Sequence, residues 1–293
     1  MREIHPDCLW PLAAELGEGP IWVEAEQALY FVDIKGHAIH RCKVYGTDRQ
    51  SWPVTQPIGF LQPLVDGDFI AGLKDGLYRF DPSDGSLWKC SAVEPHLPGN
   101  RLNDAYVDRQ GHLWFGSMDD AETVPSGSLY RIDANGELQS KDIGYVITNG
   151  PAMSPDGRTF YHTDTLGCSI YAYDVSEQGD LSNKRCLLKI RDGYPDGSCV
   201  DAEGFLWVAL FGGHRIERYN PSGRLVQTVR LPCANVTKVA FGGADLRQVF
   251  VTTAWKGLSP AERTQQPLAG GLFTFRVDTP GLPLHAITQG FSL

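Results

Sequence analysis

Four short turns carry polar side chains of a kind that can hold a cation or move a proton. Glu18 stands in LGEGP, Asn103 in NRLND, Asn149 in TNGP and Asp196 in YPDG. Each lies 10 or 11 residues ahead of an apolar, aromatic-rich segment, those beginning at Leu29, Leu113, Phe160 and Leu206. Thr237 keeps a similar interval, 12 before Val249, and Gln62, 7 before Phe69, fits loosely. If equivalent positions converge, Glu18, Asn149 and Asp196 offer two carboxylates and one amide oxygen. Hard oxygen donors of this kind suit Ca2+, Mg2+ or Mn2+, and with open water positions also Fe2+ or Zn2+. Gly17, Gly19, Gly150 and Gly197 beside them let the backbone turn sharply. Taken singly, each turn reads as only a turn, because Asn-Gly and Asp-Gly usually are. The shared phase is what points to a site.

A shared phase needs a repeated scaffold, and the sequence contains one. Apolar strands begin at Leu29, Phe69, Leu113, Phe160, Leu206 and Val249, at intervals of 40, 44, 47, 46 and 43 residues. A second strand follows each: IHRC, LYRF, LYRI, IYAY, IERY and LFTF. Turn signals such as PSDG, DRQG, SPDG, DAEG and NPSG punctuate them. A period of roughly 40–50 residues with several strands per unit indicates propeller blades. The spacing predicts an all-β fold, a six-bladed β-propeller filling residues 1–293 as one domain. A two-sheet sandwich would not repeat so evenly. Residues 8–12 precede the first full repeat and are expected to pair with the last blade around 281–288, closing the ring so that no sheet edges stay open.

Composition narrows the function classes. The formal net charge is -9 with no block of like charges, which disfavours a nucleic-acid partner. No segment reaches membrane-spanning length, and the start, MREIHPDCLW, lacks a signal-peptide core. Seven cysteines, an odd number without a CxxC pair, fit a reduced cytoplasmic protein better than a disulfide framework or a zinc cluster.

LGEGP, NRLND followed by VD, the GSM loop, TNGP, YHTDT, YPDG and the tail TTAWKGLSP…QPLAGGLF occur in the order found in one family. Over residues 15–277 the chain resembles the senescence marker protein/gluconolactonase/luciferin-regenerating-enzyme family. It looks most like bacterial sugar-acid lactonases, and FVDIK and YHTDT resemble xylonolactonase-type members. The resemblance implies a six-bladed propeller with one divalent metal on Glu18, Asn149 and Asp196, its identity open among Fe2+, Zn2+, Ca2+, Mn2+ and Mg2+. It implies substrate contacts from Arg101 and Asn103, and one acidic contact from GSMDDAE, where Asp120 and Glu122 compete. The implied partner is a small sugar lactone, and a monomer is expected.

Opening a lactone requires a polarised carbonyl, an attacking water and stabilisation of the oxyanion. A divalent ion would act as Lewis acid, Asp196 would take the proton of the attacking water, Arg101 would hold hydroxyls or the oxyanion, and Asn103 would bond a hydroxyl. No GxSxG is present, which argues against a serine nucleophile on an elbow. His162 reads as a satisfied inner-strand histidine, Asp104 and Asp164 as turn or inter-blade bonds, and Trp255 and Lys256 as a possible pocket rim. The rival functions are an aryl esterase or organophosphatase on the same fold, and a non-catalytic calcium-binding propeller.

Overall fold

The strands beginning near Leu29, Phe69, Leu113, Phe160, Leu206 and Val249 are second from the axis in each blade, and they are rich in apolar residues because both of their faces are covered. In Ala28–Asp33 every residue is buried, and so is every residue of Phe69–Leu73 and Leu113–Asp119. The outermost strands, such as Gln50–Pro53 and Leu87–Ala92, are largely open to solvent. That gradient places the second strands inside stacked sheets and the last strands at the rim. The computed structural model describes residues 4–133 and 135–288. It contains six four-stranded antiparallel sheets arranged as a β-propeller.

The innermost strands are Gly17–Val23, Ile58–Pro63, Asn100–Val107, Thr148–Met153, Tyr194–Val200 and Asn235–Gly242, one for each of blades 1 to 6. Each contacts its counterpart in the next blade, and the last contacts the first, so the six surround a channel. Aromatic pairs weld most blade interfaces. Tyr30 and Phe69 join blades 1 and 2 at 4.7 Å between ring centres, Trp114 and Phe160 join blades 3 and 4 at 4.5 Å, and Trp22 stacks on Phe250 at 5.6 Å between blades 1 and 6. Burying one such side chain is worth about 1.5–3 kcal/mol. Two of the VD turns are also locked. Asp108 and Asp201 each accept an indole N–H at 2.8 Å, from Trp114 and Trp207, and each accepts two backbone N–H groups of its own turn.

Ring closure occurs as expected, but with a different partner. Asp7–Trp10 pairs antiparallel with Leu272–Arg276 and becomes the outer strand of blade 6. Residues 281–288 form no strand. They carry isolated bridges from Gly281 to Asp201 in blade 5 and from Ile287 to Leu64 beside blade 2, running as a strap between the two blades. The proline-spaced GLPLHA segment cannot supply a regular ladder of donors, whereas LFTFR can. The loop before Leu272 holds a single helical turn and a half, Pro260–Gln265, started by a Ser259–Glu262 capping box. No helix among the described residues is long and apolar enough to cross a membrane.

Candidate metal centre and substrate mouth

All six innermost strands lose register with their neighbours at one level of the channel. The breaks fall between Glu18 and Ile21, Ile58 and Phe60, Leu102 and Ala105, Asn149 and Ala152, Pro195 and Ser198, and Val236 and Lys238. A bulge puts extra residues on one strand and re-aims their side chains. Gly19 and Gly150 occupy two of these bulges with φ of 55° and 50°, a region that side chains rarely adopt. Glu18 and Asn149 come immediately before their bulges, and Asn103 and Asp196 lie inside theirs. The phase noticed in the sequence is thus a ring of six bulges.

The bulges bring Asp120, Arg101, Asn103 and Asn149 into one hydrogen-bonded chain. Arg101 Nε donates to Asp120 Oδ1 at 3.0 Å, and another guanidinium nitrogen donates to Asn103 Oδ1 at 2.5 Å. Asn103 Nδ2 donates to the Thr148 carbonyl at 2.6 Å and to Asn149 Oδ1 at 3.0 Å. Asn149 Nδ2 donates to Thr165 Oγ1 at 3.0 Å, which fixes its amide plane. Its carbonyl oxygen keeps one lone pair uncommitted.

Glu18 and Asp196 are only 5% and 6% exposed, yet they are poorly supplied with donors. Glu18 accepts one bond, from the Gly19 N–H at 2.8 Å, and Asp196 accepts none from the described residues. Burial, and then the nearby Asp104 carboxylate, raise the Glu18 pKa. Burial, and then the Glu18 and Asp104 carboxylates, hold Asp196 well above the ordinary range. Two buried carboxylates that repel one another, beside an amide oxygen with a free lone pair, fit a divalent cation that would relieve the repulsion. Asp104 itself is spoken for. It accepts the Gly150 N–H at 2.9 Å and pairs with Lys238, so it ties blade 3 to blades 4 and 6.

The loops above the ring supply further charge. Asp120 is held by Arg101, by Lys35 at 2.6 Å and by Lys74 at 3.5 Å. Glu122 reaches across the mouth to Lys256. Of the two competing acids, Asp120 therefore joins the Arg101 network and Glu122 belongs to the rim. Trp255 is held to the N-terminal segment by a bond to the Ala13 carbonyl at 2.9 Å, with Arg263 over its ring.

Three sequence expectations need correction. The blade 2 bulge falls on Gly59, where a Cβ would lie 2.3 Å from the Asn103 carbonyl oxygen, so this blade offers no side chain. Gln62 sits below the ring and donates to the Ala105 carbonyl. Thr237 is fully buried and bonds the Gly17 carbonyl at 2.5 Å, stitching blade 6 to blade 1. His162 lies on the second strand of blade 4, which pairs with the innermost strand, and neither ring nitrogen has a partner among the described residues. Burial holds it neutral, with its pKa lowered to about 3, edge-on to Tyr145. Lys238, Lys35 and Lys74 are the charged neighbours that sequence reasoning missed. Only Lys238, next to Thr237 in NVTK, had a phase that could have pointed to it.

Comparison with known proteins agrees with this fold. The family model for the SMP-30/Gluconolactonase/LRE-like region matches residues 16–255. L-arabinolactonase of Azospirillum brasilense is 35% identical over 292 residues, covering 96% of this chain and 96% of that protein. Regucalcin of Oryctolagus cuniculus is 34% identical over 297 residues, covering 98% and 99%. The crystal structure of a calcium-binding protein, regucalcin, from Agrobacterium tumefaciens superposes with a TM-score of 0.93 at 26% identity, covering 97% and 98%. With the motifs in order, the six blades formed and most of the chain matched, this protein belongs to the SMP-30/gluconolactonase/LRE-like family.

Proposed function

We propose that the protein hydrolyses a sugar-acid lactone, a pentono- or hexonolactone, to the free acid, with one divalent metal ion bound by Glu18, Asn149 and Asp196. The observation that carries this reading is the pairing of two under-supplied buried carboxylates with the Asp120–Arg101–Asn103–Asn149 chain. The match to an L-arabinolactonase over nearly the full chain supports the substrate class. When bound, the ion supplies Lewis-acid polarisation of the lactone oxygens.

The remaining work falls to the chain's own groups. Asp196, with no donor of its own among the described residues, accepts a proton from the attacking water, a role worth about 10²–10⁴-fold. Arg101 spends Nε and one terminal nitrogen on Asp120, Leu102 and Asn103. Its other terminal nitrogen keeps two N–H groups for a substrate hydroxyl or the developing oxyanion. Both N–H groups of Asn103 are committed, so Asn103 meets the substrate as an acceptor for a hydroxyl. Asp120 orients the guanidinium. A mouth so densely lined with polar groups suits a polyhydroxyl ring better than an apolar aryl ester.

The test is a set of initial rates on xylono-, arabinono-, galactono- and gluconolactones and on phenyl acetate, with spontaneous opening subtracted. Turnover of at least one aldonolactone well above phenyl acetate supports the reading. Phenyl acetate as the better substrate, or no turnover of any, overturns it.

A further inference from the structure

We infer that the lower half of the channel is a second binding site, for an uncharged and largely apolar small molecule. Below the ring of bulges all six innermost strands line a cavity of about 530 Å³. Ile21, Val23, Met153, Val200, Val239 and Leu284 are among its walls, and Glu18, Asn103, Asn149 and Asp196 are not. The volume falls within the roughly 300–1,000 Å³ of small-molecule sites, which are mostly apolar with a few placed polar groups.

Two features make this more than a gap along the propeller axis. First, its lining is distinct from that of the polar mouth. Of the charged groups at the bulges only Lys238 lines it, and that ammonium is tied to Asp104. Second, it has a built floor. The strap from Gly281 to Ile287 runs beneath it from blade 5 to blade 2, anchored by the Ile287 N–H on the Pro63 carbonyl at 2.8 Å and by the Gly281 N–H on the Leu246 carbonyl at 2.8 Å. Ile287 is buried at one end, and Leu282 and Leu284 pack upward. Beside the strap the lining continues to Val65, which is 67% exposed, and to the Glu24–Glu26 turn, which gives a way in.

These features define the ligand class. An apolar wall holds water poorly, so an apolar molecule gains by entering. A sugar lactone would lose the hydration of several hydroxyls and find too few partners to replace it. The occupant is therefore a compact, uncharged apolar body of one or two rings, chemically unlike what the polar mouth accepts.

N-phenyl-1-naphthylamine, a neutral probe that brightens in dry surroundings, tests this on the intact protein. The expected result is saturable binding of one probe per chain that an aldonolactone does not displace. Ala240→Leu and, separately, Cys199→Leu add bulk to the cavity wall. Each is expected to weaken binding at least about 10-fold in protein that still melts cooperatively. If one variant fails to fold, the other decides. Absence of saturable binding, displacement by lactone, or unchanged affinity in a folded variant would overturn the proposal.

Discussion

The two halves of the channel are made by the same six strands, and they differ in almost every physical respect. At and above the bulges, side chains are charged and mostly held by one another, with Glu18 and Asp196 left short of donors. Below them, the strands present Ile21, Val23, Met153, Val200 and Val239 to an apolar chamber. What separates the halves is the register break in each strand, which in blades 1, 3, 4 and 5 places a polar residue at the ring before the strand returns to its regular pleat. A propeller can thus carry a polar reaction site at one end without making the rest of its axis polar.

The largest expected effect of breaking the upper half is on Asp196. Asp196→Asn keeps an oxygen donor but cannot take a proton. At saturating metal it should stay at least about 100-fold slow in kcat, within the range for a lost base. Asn149→Asp removes no base and should cost less, with metal content measured in both proteins. Near-native turnover of fully loaded Asp196→Asn would move the base elsewhere.

Arg101→Ala comes next. It removes the two N–H groups left for substrate and should lower kcat/KM more than about 10-fold, or about 1.4 kcal/mol. Arg101 is buried, and that burial lowers its pKa, so folding already bears a cost for its charge. The melting temperature should therefore change little. A large drop in melting with normal activity per folded molecule would make Arg101 structural.

A smaller contrast separates the two acids of the GSMDDAE loop. Asp120 holds Arg101 directly, and Glu122 pairs with Lys256 at the rim, where an exposed pair is worth about 0–1 kcal/mol. Asp120→Asn should reduce kcat/KM more than Glu122→Gln. The reverse order would place Glu122 against the substrate.

How far this arrangement could be read in the sequence depended on what each feature rests on. The second strands were visible because burial on both faces writes a dense apolar run, and the third strands because a short, largely apolar segment follows each. Glu18, Asn149 and Asp196 were visible because the interval to the next strand is kept. The same counting failed in blade 2, where the bulge is a glycine and Gln62 merely stood at the nearest polar position. Asp104–Lys238 and Lys256–Glu122 join residues 134 apart in sequence, so no spacing could announce them. The partner of the N-terminal strand was misjudged because the GLPLHA segment is apolar enough to look like a strand, yet it runs as a strap.

Stability against pH gives the mildest test of the upper half. Without metal, the folded-state pKa values of Glu18 and Asp196 are raised. At pH below about 4, both folded and unfolded chains are protonated at these groups and no penalty arises. As pH rises towards the raised folded values, the unfolded chain ionises first and the metal-free protein loses stability. The melting gain on adding a divalent ion should therefore grow from pH 5 to pH 8. A gain that is flat or shrinks over that range would mean the ion binds elsewhere.

The central claim is that one divalent ion in the upper half is required for lactone opening. Metal content and initial rate should be measured together on chelator-treated protein as ion is returned, using the best aldonolactone and subtracting spontaneous opening. The rate should be abolished in the stripped protein, rise in proportion to bound ion and level off at one ion per chain. Full activity in protein shown to be free of metal would contradict it.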